Sequence, residues 1–112
     1  MTTFASQATT INIQRYLLDD FPVGYIVPLA TIAGFTFVLT IEGVCTIEGT
    51  IVNPTEGDVE FDPANAEDLL SAPYDATTLV SGNYSYYIVM VDTAADERTI
   101  VRGIWRVSPR AP

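Results

Sequence analysis

Two runs of alternating side chains, at residues 84–91 and 98–107, predict a β-hairpin near the end of the chain. A turn at residues 93–96 brings four pairs opposite each other: Met90 with Thr99, Ile88 with Val101, Tyr86 with Gly103, and Tyr84 with Trp105. This register collects the bulky side chains on one face, which we predict to be the core. It also lays the ring of Tyr86 over Gly103, which has no side chain of its own to pack.

The second face of the predicted hairpin combines arginine with apolar side chains. One strand contributes Arg98, Arg102 and Arg106 together with Ile100 and Ile104, and the other contributes Tyr87, Val89 and Val91. The outer face of a solvated antiparallel sheet is normally polar, so we expect this face to be covered.

Two kinds of cover fit this outer face. Either residues 24–32 or another sheet lies over it, or another subunit does, because interface cores combine arginine, tyrosine and apolar side chains. On the second interpretation, the candidate protein-interface residues are Tyr87, Val89, Ile100, Arg102, Ile104 and Arg106.

Further strands are predicted along the rest of the chain. Alternation predicts strands at 9–17, 35–41, 45–53 and 58–62, with Gly49 interrupting the third and with Val59 and Phe61 facing inward. Residues 24–32 are expected to form an edge strand or an extended arm, since proline cannot donate a hydrogen bond to a ladder.

One short helix is predicted after the strand at 58–62. Asp62 is a side-chain cap, and Pro63 lacks an N–H at a position where none is needed. We therefore predict a helix at residues 64–70, ended by Pro73, and a loop at 74–80.

These elements predict an all-β protein, an antiparallel immunoglobulin-like β-sandwich or flattened barrel with one short helix. Residues 1–112 form a single domain, with 1–8 as a candidate flexible N-terminal arm. The paired cysteines of a true antibody domain are absent, because Cys45 is the only cysteine. Its apolar neighbours favour a small buried thiol over a nucleophile.

The charge of the chain narrows the functional classes. A formal net charge of −9 argues against nucleic-acid binding, which requires a basic surface. Histidine, the usual general base and commonest metal ligand, is absent. We expect no enzymatic activity, no cofactor and no metal.

Targeting signals are not evident in the sequence. The first ten residues lack the basic start and apolar block of a signal peptide, so we expect synthesis in the cytoplasm. The most apolar segment, 21–35, contains Pro22, Gly24 and Pro28 and is shorter than the roughly 20 residues that span a bilayer, so no membrane helix is expected.

Two further groups of residues are candidate binding sites. Carboxylates recur at every second position in one segment, at Glu56, Asp58, Glu60 and Asp62. Such a row is an exposed solubilising face, a charge partner for another surface, or a calcium site. Neighbours in such a row are about 7 Å apart on a straight strand, which is too far to share one ion. The aromatic residues could form a sugar-stacking platform, namely Tyr74, Tyr84, Tyr86, Tyr87 and Trp105.

The sequence of strands from residue 34 to 109 resembles a group of bacteriophage proteins. The segments AGFTFVLTI, GNYSYYIVMVD and RTIVRGIWRVSP are similar to those of small β-sandwich proteins encoded among the structural genes of tailed bacteriophages, and of the N-terminal domain of phage baseplate upper proteins. The resemblance implies a structural component of a virion, in the tail, baseplate or neck or as a capsid decoration. Such a protein is made in the host cytoplasm and contacts other virion proteins and copies of itself. A carbohydrate- or receptor-binding module is the alternative.

Overall fold

The computed structural model describes residues 8–70 and 72–109, which form a seven-stranded and a three-stranded sheet around one apolar core. The strands are β1 (Thr9–Thr10), β2 (Ile13–Tyr16), β3 (Val23–Ile26), β4 (Thr36–Ile41), β5 (Cys45–Glu48), β6 (Thr50–Asn53), β7 (Asp58–Phe61), β8 (Ala66–Asp68), β9 (Gly82–Val91) and β10 (Glu97–Ser108). The larger sheet has the order β1-β10-β9-β4-β5-β8, and β2 also pairs with β10; the smaller has the order β3-β7-β6. The predicted all-β, sandwich-like fold is confirmed.

The hairpin of β9 and β10 forms the middle of the larger sheet. Three of the four predicted pairs are confirmed: Ile88 with Val101, Tyr86 with Gly103, and Tyr84 with Trp105. The fourth is wrong, because Met90 lies opposite Arg98 and not Thr99. The cause is a β-bulge between Thr99 and Val101 that shifts the register.

This bulge changes which side chains of β10 face the core. Ile100 is the extra residue, and it is only 8% exposed, with Val101 buried beside it. The prediction that Ile100 lies on the outer face is therefore wrong, because the inserted residue interrupts the alternation. For the same reason, Arg98 does not share a face with Arg102.

The turn between β9 and β10 lies at residues 92–96, one residue longer than predicted. The carboxylate of Asp92 accepts hydrogen bonds from the N–H groups of Ala94 (2.9 Å) and Asp96 (3.0 Å). Ala95 has a φ of 64°, in the left-handed region. The aspartate thus closes the turn by satisfying two backbone donors.

Gly49 marks the point where the chain passes from one sheet to the other. The predicted strand 45–53 is in fact two strands: β5 pairs with β4 in the larger sheet, and β6 pairs with β7 in the smaller one. A Cβ at Gly49 would lie 2.8 Å from the ring of Phe61 and 3.0 Å from the Cβ of Phe37. Only glycine allows the chain to cross this closely packed point.

The smaller sheet packs on the inner side of the hairpin. Val59 and Phe61 of β7 are buried, as predicted, and Val27 and Ile32 join the same core. Residues 24–32 therefore do not cover the outer face of the hairpin, and that interpretation is wrong. The apolar side chains of the segment draw it to the core side.

The predicted helix at 64–70 is also wrong. Asp62 does cap a helix, since its side chain accepts from the N–H of Ala64 at 3.0 Å, but the helix is a single 3-10 turn at Pro63–Asn65. The chain then forms β8, which pairs with β5 and buries Ala66. Pairing with an open sheet edge outweighs the weak helical preference of a segment this short. A second 3-10 turn, Ala76–Thr78, lies within the predicted loop.

The N-terminal strands run parallel to β10 along the edge that β9 leaves open. β1 pairs with Val101 and Arg102, and β2 pairs further along, from Trp105 to Ser108. Between them the chain passes over Gly103, where a side chain would overlap the carbonyl oxygen of Ile11.

The hydroxyl of Tyr86 donates a hydrogen bond of 2.6 Å to the carbonyl of Ile11. The ring of Tyr86 also contacts Trp105 edge to face, with 5.8 Å between centroids and an angle of 72° between planes. The space above Gly103 is therefore filled by a backbone carbonyl that Tyr86 holds in place, while Trp105 supports the ring of Tyr86.

Replacing Trp105 by alanine is expected to destabilise the domain by on the order of 3–5 kcal/mol, because the ring is buried and its loss leaves a cavity. Thermal and urea denaturation followed by circular dichroism measure the change. Arg106→Ala, one residue away on the exposed side, should remain within about 0.5 kcal/mol of wild type. A melting curve for Trp105→Ala close to that of wild type would contradict this core assignment.

Gly103→Ala is expected to loosen the N-terminal strands, because the new methyl group competes with the carbonyl of Ile11 for the same space. We expect a loss of about 1–3 kcal/mol and faster amide hydrogen exchange at Ile11 and Ile104. Gly24→Ala is the matched control, since its Cβ would meet only the Val59 carbonyl at 3.9 Å. Equal stability of the two variants would show that the chain does not need this close approach.

Candidate protein-interaction face

The outer side of the β9–β10 hairpin carries five of the six residues predicted as interface. Arg102, Ile104 and Arg106 of β10 are exposed, and Tyr87 and Val89 of β9 are half-buried. We call these five residues the hairpin face. They share this side because their chain neighbours, Trp105 and Tyr86 among them, point into the core.

The hairpin face is apolar in the middle and positively charged at its ends. Ile104 is 40% exposed and lies between Arg102 and Arg106 along β10. Arg102 lies opposite Tyr87 across the two strands. Within the part of the chain that the structure describes, no ion pair or hydrogen bond engages the guanidinium groups of Arg102 and Arg106, so both cations are available for a partner.

A shallow groove crosses this face where β1 meets β10. Its lining includes Thr10, Asn12, Tyr87, Arg102 and Ile104, with the carboxylate of Glu42 at its border. The side-chain oxygen of Asn12 accepts from the backbone N–H of Ile104 at 3.0 Å, and this hydrogen bond holds the groove floor in place. Because the groove is open to solvent, it favours contact with another macromolecule over catalysis in an enclosed pocket.

The predicted row of four carboxylates does not lie on one strand. Only Asp58 and Glu60 belong to β7; Glu56 lies in the preceding turn, and Asp62 caps the 3-10 helix. Asp58 and Glu60 point away from the core, since Val59 and Phe61 point into it.

Two exposed apolar side chains flank these carboxylates. Ile26 of β3 lies opposite Asp58 and is 59% exposed, and Val52 of β6 is 52% exposed. We call Ile26, Val52, Asp58 and Glu60 the acidic face. It is the outer surface of the smaller sheet, so it lies on the opposite side of the molecule from the hairpin face.

The predicted aromatic platform for sugars does not form an exposed cluster. Tyr86 and Trp105 are buried in the core, and Tyr84 is half-buried with its hydroxyl donating to the carbonyl of Val80. Tyr74 and Tyr87 are also half-buried. Stacking on a sugar requires open ring faces, which this set does not supply together.

Arg15 is a charged core residue that sequence reasoning missed. It is 3% exposed, and its guanidinium carbon lies 4.1 Å from the ring centroid of Phe21 and 5.6 Å from that of Trp105. Nη2 donates to the carbonyls of Asp19 (3.1 Å) and Phe21 (2.9 Å). Burial lowers the pKa of the Arg15 guanidinium, while the nearby carboxylates of Asp19 and Asp20 raise it.

The alternation of side chains along β2 is the feature of the sequence that indicates a buried position for Arg15. It falls in the inward row after Ile13, opposite Val107 of β10. Its two hydrogen bonds hold the segment after β2 against the end of the core, so we assign Arg15 a structural role.

Cys45 is buried, as predicted. Burial raises the pKa of its thiol to about 11, so the group is protonated at neutral pH and does not act as a nucleophile.

Two other kinds of feature are absent from residues 8–70 and 72–109. No three residues among cysteine, aspartate and glutamate come together in an arrangement that could hold a metal ion. No helix in these ranges has the length and apolar content needed to cross a bilayer.

Comparisons of the chain with protein-family models, curated protein sequences and solved structures found no significant match.

Arg15→Ala is expected to destabilise the fold by about 1–3 kcal/mol, because it removes two hydrogen bonds to backbone carbonyls and the contacts with Phe21 and Trp105. Arg102→Ala is the matched control: it removes the same side chain from an exposed position and should change the free energy of unfolding by less than about 0.5 kcal/mol. Urea denaturation of both variants tests the difference. Equal effects would show that Arg15 does not hold the segment after β2.

Proposed function

We propose that the protein is a structural subunit of a tailed-bacteriophage virion that acts through protein–protein contacts in a repeated assembly. The observation that carries the proposal is the hairpin face, an arginine-bearing and partly apolar sheet surface that the described part of the chain leaves open.

The composition of the hairpin face is that of an interface. Tyrosine and arginine are enriched in protein interfaces and frequently provide much of the binding energy, while the aliphatic side chain of Ile104 adds apolar area. Most outer faces of antiparallel sheets are polar. Covering this face with another protein would remove apolar surface from water and provide partners for two guanidinium groups.

The virion assignment is supported by the sequence resemblance of the strands in residues 34–109 to small structural proteins of tailed bacteriophages. A particle presents many copies at high effective concentration, so contacts of modest affinity are sufficient for such a role. The fold serves such a role because its stability depends on the inner face of the hairpin and leaves the outer face for a partner.

Ile104→Asp tests the role of the hairpin face. The substitution places a carboxylate at the centre of the face without touching the core, so we expect a folded protein that no longer self-associates. Size-exclusion chromatography with light scattering measures the oligomer, and circular dichroism checks the fold. Leu70→Asp, at a side chain that is 90% exposed and far from the hairpin face in the strand order, is the matched control and should assemble like wild type.

An Ile104→Asp variant that assembles exactly as wild type does would contradict the assigned role of the face. The virion assignment has its own test, which is mass spectrometry of purified phage particles from a culture that expresses this chain. We expect the chain in these particles in many copies, and its absence from them would overturn the assignment.

A further inference from the structure

We propose that the hairpin face of one copy docks on the acidic face of a second copy, so that subunits stack head to tail. This inference rests on the proposed function as an assembly subunit and names the partner: another molecule of the same chain.

The two faces cannot meet within one molecule. Arg102 and Arg106 project from the larger sheet on the side opposite Trp105, and Asp58 and Glu60 project from the smaller sheet on the side opposite Phe61. Trp105 and Phe61 belong to the same core between the sheets. The arginine and carboxylate side chains therefore point in opposite directions, separated by the full thickness of two packed sheets.

The chemistry of the two faces is complementary. Each combines exposed aliphatic side chains with charges of one sign: Ile104 with two arginines on the hairpin face, and Ile26 and Val52 with two carboxylates on the acidic face. Arginine and carboxylate groups form charge-assisted hydrogen bonds, and removing them from water beside apolar contacts strengthens these bonds.

The charges also decide between the three ways in which two faces can pair. Hairpin face on hairpin face brings arginines together, and acidic face on acidic face brings carboxylates together in a chain whose net charge is already −9. Only the mixed pairing matches opposite charges, and repulsion suppresses the other two.

Other carboxylates limit where the second copy lies on the larger sheet. Glu48 of β5 and Glu67 of β8 are exposed on the same outer side as the hairpin face. Both lie beyond β4 from the hairpin in the strand order. The half of the sheet that contains β9 and β10 carries two exposed carboxylates of its own, Glu42 beside the groove and Glu97 at the start of β10. The acidic face of the partner is therefore drawn to residues 102–106 of β10.

Contacts between two different surfaces on opposite sides of a molecule propagate. Each added subunit presents a free hairpin face at one end and a free acidic face at the other, so the stack closes into a ring if the rotation per subunit permits and otherwise extends as a filament.

Charge reversal on each face tests the docking. The double variants Arg102→Glu/Arg106→Glu and Asp58→Arg/Glu60→Arg are each expected to sediment as monomers, because each then carries two faces of like charge. An equimolar mixture should recover the wild-type oligomer, because the reversed hairpin face of the first variant matches the reversed acidic face of the second, and the two unaltered faces also match. Sedimentation velocity at equal total concentration measures these states, with circular dichroism to confirm folding.

The control variant Asp20→Arg/Asp96→Arg has the same charge change as Asp58→Arg/Glu60→Arg but at exposed loop positions outside both faces. It should assemble as wild type does. Recovery in the mixture excludes misfolding as the reason that either variant fails alone.

Three results would overturn the docking. If Asp58→Arg/Glu60→Arg assembles normally while Arg102→Glu/Arg106→Glu does not, the hairpin face pairs with another surface, and the proposed function stands. If the mixture of the two variants does not recover the oligomer, head-to-tail stacking is overturned, and the proposed function again stands. A wild-type protein that remains monomeric at all concentrations overturns self-assembly in both proposals, and the particle analysis then decides the virion assignment.

Discussion

The hydrogen bond from Tyr86 to the carbonyl of Ile11 fixes the position of the N-terminal strands on the hairpin. That carbonyl is partly buried, so leaving it unpaired would be costly, and Gly103 provides the space that it occupies. Trp105 packs against the ring of Tyr86 and so supports the donor. Three residues of the hairpin thereby position both the core and the edge strands.

The same alternation along β10 separates stability from interaction at the level of single residues. Trp105 points into the core, while Ile104 and Arg106 on either side point outward to the hairpin face. Since the core contacts hold β10 in place, the outer side chains are presented on a rigid surface. A partner that binds there does not have to order a loop, so the entropic cost of binding is reduced.

Much of the fold could be predicted from the sequence, because the alternation in β9 and β10, the break at Gly49 and the cap at Asp62 are local signals. The bulge at Ile100 could not be predicted, since the spacing of β-branched residues is the same with or without it. The prediction of a helix at 64–70 was wrong because the segment forms β8, which pairs with the open edge of the sheet at β5.

Of the six residues predicted for the candidate face, five lie where expected and only Ile100 does not. The acidic face could not be predicted from the sequence. Ile26 belongs to β3, which is far from Asp58 and Glu60 along the chain, and Val52 lies at a β-bulge in β6 that shifts its position.

The parallel pairing of β1 and β2 with β10 also determines when the larger sheet can form during synthesis of the chain. The N–H of Ile104 bonds to Asn12, a residue 92 positions earlier, and β2 has no described strand partner other than β10. In a nascent chain on the ribosome, β1 and β2 therefore cannot pair with β10 until β10 has left the exit tunnel. Closure of the larger sheet is then a late, non-local step, of the kind that slows the folding of β proteins.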